Sequence, residues 1–227
     1  MNIAIVPISA KPFHAGHDFI ISAAQQLVGT NGIVIIPVST TQRGGKSQQL
    51  ITTSQMEQIW AGPLKDYISR KYNAIILLPT NTGHNSPVKT LHDILESLSN
   101  GVVPPYLDIN LDDINNITIV SGSDRGGQYN NIAAKFSPEL NIDTEIVNRD
   151  EDKELIPTSS DTIPISAVSG TAVRKTLACR NVMLFKQMMP DDMSNSEKAE
   201  IYQILCPASP TNEQRLLKQF IYEYLDV

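Results

Sequence analysis

Residues 3–21, IAIVPISAKPFHAGHDFII, decide the fold of this chain. The stretch opens with a short apolar run over residues 3–8, which is typical of a strand that is buried on both faces. It ends in apolar residues spaced three and four apart, which predict a helix over residues 16–28. A strand that leads through a polar loop into a helix is the opening unit of an α/β sheet.

The same pattern recurs along the chain. Further apolar runs rich in isoleucine and valine predict strands at 33–38, 74–79, 117–120 and 142–147, and the stretches between them predict helices at 53–68 and 86–99. Strands that alternate with helices form parallel sheets through right-handed crossovers. We therefore predict an α/β fold, Rossmann-like and doubly wound, around a five-stranded, mainly parallel sheet.

After residue 148 the pattern becomes helical. Helices are predicted at 181–189, 195–205 and 211–225, and the last has the sequence TNEQRLLKQFIYEYL with an apolar stripe on one side. We expect a Rossmann-like domain over residues 1–180 and a C-terminal helical extension over 181–227 that packs on it, so that the chain forms a single domain overall.

The composition of the chain argues against some classes of binding partner and of structural site. A net charge of −6 argues against broad binding to nucleic acid or to an anionic membrane, because both need a basic surface. The two cysteines, Cys179 and Cys206, are too few for a disulfide scaffold or a four-cysteine zinc site. The N-terminal sequence has no targeting pattern and no long apolar span occurs, so a cytoplasmic protein is expected. A homo-oligomer remains open.

Polar and glycine-rich stretches follow each predicted strand. They are SAKPFHAGH, STTQRGGKS, TNTGHNS and SGSDRGGQ, with AVSGTAVRK opening a helix after the fifth strand. In a doubly wound sheet the ligand binds beyond the carboxyl ends of the strands. The sequence therefore predicts one ligand site at this edge. GGKS at 44–47 imitates a phosphate-binding P-loop, but that motif requires glycine where Thr40 stands.

Two of these stretches are suited to phosphate. His14 and His17 flank the predicted start of the first helix around Gly16, and a helix N-terminus attracts anions. The alternatives are that one histidine caps the helix while the other packs, or, less favourably, a zinc site.

The second stretch is SGTAVRK, residues 169–175. Ser169 or Thr171 can cap a helix, Gly170 permits a close approach, and the Arg174 fork can bind two oxygens of a polyphosphate. The alternative is an ordinary capped helix with a solvated Arg174–Lys175 pair.

Taken together, HAGH after the first strand and SGTAVR after the fifth resemble the nucleotidyltransferase superfamily with H-x-G-H and S-x-T-x-x-R signatures. The likeness spans roughly residues 1–190, includes GSDR at 122–125, and is strongest to phage-type and nicotinamide-mononucleotide (NMN) adenylyltransferase-like members. This chain departs from many relatives at Ile8 and Ala10, where they carry a glycine and an aromatic residue.

The resemblance implies attack of an acceptor phosphate on the α-phosphorus of a nucleoside triphosphate, release of pyrophosphate, and a Mg²⁺ ion that bridges the phosphates of ATP. His14 and His17 would hold the α- and β-phosphates, Arg174 the β- and γ-phosphates, and Lys11 would add charge. The implied nucleotide-binding positions are Ile8, Ser9, Gly16, Gly122, Asp124, Ser169, Gly170 and Thr171. The candidates for the acceptor are Arg43, Lys46, Asn81 and His84, and no protein ligand for a metal is implied.

SGTAVR is closer to the form seen in adenylyl-transferring relatives, so the resemblance favours ATP over CTP. The expected function is transfer of AMP from ATP to a phosphorylated small molecule, with NMN as one acceptor. A cytidylyltransferase that uses CTP and a non-catalytic nucleotide-binding regulator are the alternatives.

Overall fold

The structure is a computed structural model that describes residues 1–45, 47–123, 126–148 and 167–207. Its strands are β1 (Asn2–Ile5), β2 (Ile33–Pro37), β3 (Arg43–Gly45), β4 (Gln48–Ile51), β5 (Ala74–Leu77), β6 (Asn116–Gly122) and β7 (Ile142–Val147). Its helices are α1 (Ala15–Val28), α2 (Thr53–Ala61), α3 (Pro63–Lys71), α4 (Pro79–Thr82), α5 (Pro87–Ser99), α6 (Gly126–Phe136), α7 (Gly170–Ala178), α8 (Val182–Gln187) and α9 (Asn195–Leu205), with a 3₁₀ turn at Leu111–Asp113.

The main sheet has five parallel strands in the order β5-β2-β1-β6-β7. The predicted α/β, doubly wound sheet is therefore confirmed. The chain moves outward on one side of β1 through β2 and β5 and on the other through β6 and β7. This reversal of direction makes the carboxyl end of β1 the place where a doubly wound sheet binds its ligand.

Each face of the sheet is buried under helices. Ala4 and Val6 belong to one apolar cluster, with residues of α1, α2, α3, α7, α8 and α9, whereas Ile3 and Ile5 belong to a second cluster with residues of α5 and α6. Alternate residues of a strand point to opposite faces, so a continuous apolar run is what two buried faces require. Trp60 is fully buried in the first cluster, as expected for a packing residue.

Three elements differ from the sequence prediction. The first strand ends at Ile5, and beyond Pro7, which has no N–H to donate, Ile8 forms only a single bridge with Val38. The helix predicted over 53–68 is two helices, because α2 ends at Ala61 and Pro63 starts α3. The expected loop after the second strand contains the antiparallel hairpin β3–β4.

The helices α8 and α9 lie close to their predicted bounds and contribute Phe185 and Ile201 to the first apolar cluster. The helix predicted at 211–225 lies outside the described residues, so the division into a domain and an extension stays a prediction. Within the described ranges, every helix is too short or too polar to cross a membrane.

One surface contact predicts a pH dependence of stability. Arg70 on α3 donates two hydrogen bonds, of 2.8 and 3.1 Å, to the carboxylate of Glu197 on α9, and Ser194 adds a hydroxyl and a backbone donor. These bonds, chiefly those from Arg70, lower the pKa of Glu197 to about 2 from its usual 4.5. A carboxyl group with a lowered folded-state pKa stabilises the fold above its unfolded-state pKa, and this contribution is lost as the pH falls through the folded-state value.

We therefore expect Glu197→Gln to lower the melting temperature at neutral pH, and the difference from the parent to shrink between about pH 5 and pH 2. The control is Glu200→Gln, an exposed carboxylate on the same helix. Thermal unfolding of the three proteins across this range checks the prediction, and a Glu197→Gln deficit that stays constant with pH contradicts it.

Candidate functional site

His14 and His17 lie together at the start of α1. His14 is 2% exposed and is the N-cap residue of the helix, where its Nδ1 accepts a hydrogen bond of 3.2 Å from the Gly16 N–H. A neutral imidazole that accepts at Nδ1 carries its proton on Nε2, so His14 is a donor at that atom. The two imidazole rings are 3.8 Å apart between centroids. The capping alternative for His14 is thus observed, and His17 stacks on Phe13 with ring centroids 5.9 Å apart. Both imidazoles lie at the positive end of the helix dipole.

A partly buried polar network anchors the first turn of α1. The Asp18 carboxylate accepts hydrogen bonds from Tyr67, Lys71 and Tyr72, at 3.0, 2.8 and 2.9 Å. Asp192, after α8, lies 2.7 Å from the same Tyr67 hydroxyl, so the two carboxylates share its single proton, and Asp192 also pairs with Lys71 at 2.7 Å. Burial raises the pKa of Asp18, although these donors and the Lys71 charge oppose the shift. The network fixes the residue that follows His17 against α3, so the imidazoles are held on a rigid element.

The helix α7 begins beside the loop that precedes His14. Ser169 caps α7, because its side chain accepts from the Ala172 N–H at 3.2 Å. A Cβ on Gly170 would lie only 3.1 Å from the Lys11 carbonyl oxygen and 3.3 Å from Arg174 Nη1. A residue without a side chain therefore allows the two segments to meet this closely.

Arg174 joins the two motifs directly. Its side chain is buried, at 8% exposure for the residue, and Nη1 donates to the carbonyl oxygen of Lys11, 163 positions earlier in the chain. Nη2 donates to Thr171 Oγ1 at 3.1 Å, and Nε donates to Gln48 Oε1 at 2.8 Å. The guanidinium thus bridges the loop before α1, the first turn of α7 and the hairpin β3–β4.

Three cationic side chains interact at this place. Burial and then the charges of Arg43 and Arg174 lower the pKa of Lys11, and burial and then the charge of Arg43 lower the pKa of Arg174. Like charges that are held close together repel unless an anion lies between them. We call Lys11, Arg43 and Arg174 the cationic cluster. It is suited to a ligand that carries several negative charges.

A cavity of about 170 Å³ opens between the carboxyl ends of β1 and β6. Its lining consists of Val6, Pro7, Ile8, Ser9, His17, Ile20, Val120, Ser121, Gly122 and Tyr129. The lining combines aliphatic side chains with polar groups that include Ser9, His17 and Ser121, and a concave site of this kind can take a small organic ligand. Because His17 belongs to this cavity and Lys11 to the preceding loop, the cavity and the cationic cluster flank the same segment.

The structure distributes the predicted nucleotide-binding residues over these two places. Ile8, Ser9 and Gly122 line the cavity, together with the catalytic candidate His17. Ser169, Gly170 and Thr171 form the start of α7 beside Lys11 and Arg174. Gly16 is buried within the first turn of α1, and its backbone N–H donates a hydrogen bond to His14 Nδ1. Asp124 lies outside the described residues.

The predicted acceptor residues do not form one group. Arg43 lies on β3 as an exposed residue and belongs to the cationic cluster. Asn81 accepts from the Leu78 N–H at 3.1 Å and so caps α4, and His84 Nε2 pairs with the Asp93 carboxylate on α5. The side chains of Asn81 and His84 are therefore engaged in local structure. Lys46 lies outside the described residues.

Two residues of the site were missed by sequence reasoning. Gln48 carried no signal, because the hairpin that presents it was expected to be a loop. Tyr129 lies on α6, after SGSDRGG, and is 3% exposed in the cavity wall; its position shortly after a glycine-rich turn was the available signal.

A group of side chains that could bind a metal lies elsewhere, on α5. The ligand-type atoms of His92, Asp93 and Glu96 lie within 4.8 Å of one another, but Lys135 Nζ is 2.8 Å from His92 Nε2 and supplies a competing positive charge.

No protein-family model and no curated protein matches this chain. Among solved structures, a bifunctional NMN adenylyltransferase/ADP ribose pyrophosphatase from Francisella tularensis is 17% identical with a TM-score of 0.48, over 100% of this chain and 57% of that one. TmcAL from Thermotoga maritima, bound with α-thio ATP, is 12% identical with a TM-score of 0.47, over 98% of this chain and 56% of that one. This chain thus spans a little over half the length of each. Activity does not transfer between proteins at such a distance, so function is inferred from the residues themselves.

Proposed function

We propose that this protein is a nucleotidyltransferase that moves AMP from ATP to the phosphate of a small-molecule acceptor and releases pyrophosphate. The observation that carries the proposal is the contact of Arg174 with Lys11, which joins the start of α7 to the loop that leads into His14 and His17. Two helix N-termini, two imidazoles and three cationic side chains around one segment make a strong polyanion site.

The assigned roles follow from charge and position. The cationic cluster would hold the β- and γ-phosphates, because Arg174 offers a planar fork and Lys11 a point charge. His14 and His17 would donate to oxygens of the α-phosphate, where negative charge builds in the transition state. The cavity beside His17 would take the nucleoside.

The reaction needs no covalent intermediate with the protein. An oxygen of the acceptor phosphate forms a bond to the α-phosphorus, while the bond from that phosphorus to the oxygen bridging to the β-phosphorus breaks. The electron pair leaves with pyrophosphate. The protein's contribution is to align the acceptor and the α-phosphate and to stabilise the developing charge with donors already in place.

Magnesium would enter with the nucleotide. The described residues of the cationic cluster and of the cavity wall include no carboxylate, and Mg²⁺ prefers oxygen ligands. Phosphate oxygens of ATP would therefore provide its coordination, and the ion would reduce the charge repulsion among the phosphates. Mg²⁺ would then need no binding site built from the described side chains.

The acceptor would be a phosphorylated small molecule that enters beside β2 and β5, and NMN is one candidate. At this end of the sheet the hydroxyl of the fully buried Thr40 lies 3.1 Å from Asn85 Oδ1 and 3.5 Å from Glu57 Oε1, so it joins segments that would border the acceptor. A non-catalytic nucleotide sensor would retain the polyanion site without needing such an acceptor region.

The experiment that tests the proposal measures pyrophosphate release with ATP or CTP and a panel of phosphomonoesters that includes NMN. We expect release that depends on both ATP and an acceptor, with CTP less effective. If ATP raises the melting temperature but no acceptor supports pyrophosphate release, the sensor function replaces the enzyme. Faster release with CTP than with ATP would make the protein a cytidylyltransferase.

A further inference from the structure

We propose that Gln48 is a positioning residue for Arg174, and that the hairpin β3–β4 is thereby part of the triphosphate site. This inference rests on the proposed function, because it assigns Arg174 to the phosphates of a nucleotide. Gln48 would not touch the nucleotide. It would act by fixing the plane of the guanidinium that does.

The contacts of Arg174 define that plane. A guanidinium has five N–H donors, and the three contacts to Gln48, Lys11 and Thr171 use one each at Nε, Nη1 and Nη2. The Thr171 contact comes from the same helix and the Lys11 contact from the loop before α1. Gln48, on β4, supplies the bond at Nε. The two remaining N–H groups lie in the same plane, one on each terminal nitrogen, and would donate to phosphate oxygens.

Electrostatics explains why such an anchor is needed. Arg174 is mostly buried beside Arg43 and Lys11, and like-charge repulsion opposes this placement of its guanidinium unless other contacts hold it. An acidic side chain at position 48 would hold the guanidinium but would also cancel its charge. The amide of glutamine accepts the same hydrogen bond and leaves the positive charge intact for the ligand.

The hairpin is built to present Gln48 at a fixed place. Strand β4 packs against α7, and Gln48 is the register partner of Gly45. Gly44 has φ +106°, and a Cβ there would lie 2.1 Å from the Gln49 carbonyl oxygen, so only glycine fits. The same hairpin carries Arg43. One element therefore supplies both a charge of the cationic cluster and the acceptor that orients another.

The test compares Gln48→Met, Gln48→Glu and the matched control Gln49→Met in the full-length protein. Gln49 is the adjacent glutamine, and its side chain contacts only the Leu50 carbonyl oxygen among the described hydrogen bonds. For each protein the dissociation constants of ATP and CTP with Mg²⁺ are measured by titration calorimetry, together with the melting temperature.

We expect Gln48→Met to weaken the binding of ATP about tenfold, because a hydrogen bond to a charged group is lost. Gln48→Glu should keep or raise the melting temperature through an ion pair with Arg174, and should still weaken ATP binding because the charge offered to the phosphates falls. Gln49→Met should bind ATP like the parent. A purely structural role for Gln48 would instead be rescued by glutamate in both measurements.

The failures are distinguishable. A parent protein that binds neither ATP nor CTP overturns the proposed function and this inference with it. A parent that binds ATP, with Gln48→Met within twofold of it, overturns the inference alone. Equal losses in Gln48→Met and Gln49→Met also overturn it, because the effect would then belong to the hairpin in general.

Discussion

Replacing His17 by alanine is expected to lower kcat by about 10²-fold or more, while the affinity for ATP falls only a few-fold. His17 lies in the first turn of α1 and lines the cavity, and its ring is tilted against that of His14 at 3.8 Å between centroids. Its donor would meet an oxygen of the α-phosphate, and this contact strengthens as negative charge develops there in the transition state. An interaction that is stronger in the transition state than in the ground state acts on kcat.

The measurement is pyrophosphate release at saturating ATP, paired with calorimetric ATP binding. His17→Asn tests whether a smaller donor retains part of the rate. His92→Ala is the control, since this histidine lies on α5 against the opposite face of the sheet and contacts Phe136. If His17→Ala keeps the parent kcat and loses ATP affinity instead, the role assigned to His17 is wrong.

Replacing Arg174 by alanine is expected to raise the ATP concentration required for half-maximal rate by about 10- to 100-fold, with a smaller change in kcat. The guanidinium would bind the β- and γ-phosphates equally in the ground state and in the transition state, so its loss acts mainly on binding. Arg174→Lys should recover little of this affinity, because an ammonium group has no fork and cannot reach Lys11, Gln48 and Thr171 together.

The neighbouring Lys175 provides the matched control, since it is an exposed cation one position further along the same helix. Lys175→Ala should depend on ATP like the parent. Melting temperatures separate a local effect from unfolding, because Arg174 also joins α7 to the loop before α1. An unchanged dependence on ATP in a folded Arg174→Ala protein would remove Arg174 from the phosphate site.

The sequence sufficed for the sheet because strands that are buried on both faces must be apolar throughout. Ile3, Val34 and Ile119 show this requirement directly, because each is wholly buried. The same logic predicted where the candidate site lies, since the carboxyl ends of parallel strands meet at one edge. Ser169 could be predicted as a cap because its position before a helix favours a side chain that accepts from the backbone.

The remaining features depend on contacts between distant segments. Gln48 became part of the site only through a hairpin whose glycines, at 44 and 45, resembled a loop signal as much as a turn signal. Gly62 and Pro63 were a sequence signal for the break between α2 and α3. The apolar periodicity continues across these residues, however, and it favoured the prediction of one long helix. Asn81 and His84 illustrate the opposite case, where polar residues at the ligand edge turned out to hold local structure.

The central claim is that the segment around His14 and His17 and the segment around Arg174 bind one triphosphate. The most direct measurement is a crystal structure with Mg²⁺ and an ATP analogue that cannot be cleaved between the α- and β-phosphates. The predicted result is a triphosphate within hydrogen-bond distance of His14 or His17 at the α-phosphate and of Arg174 at the β- or γ-phosphate. A triphosphate bound at another place, with Arg174 out of reach of every phosphate oxygen, would contradict the claim.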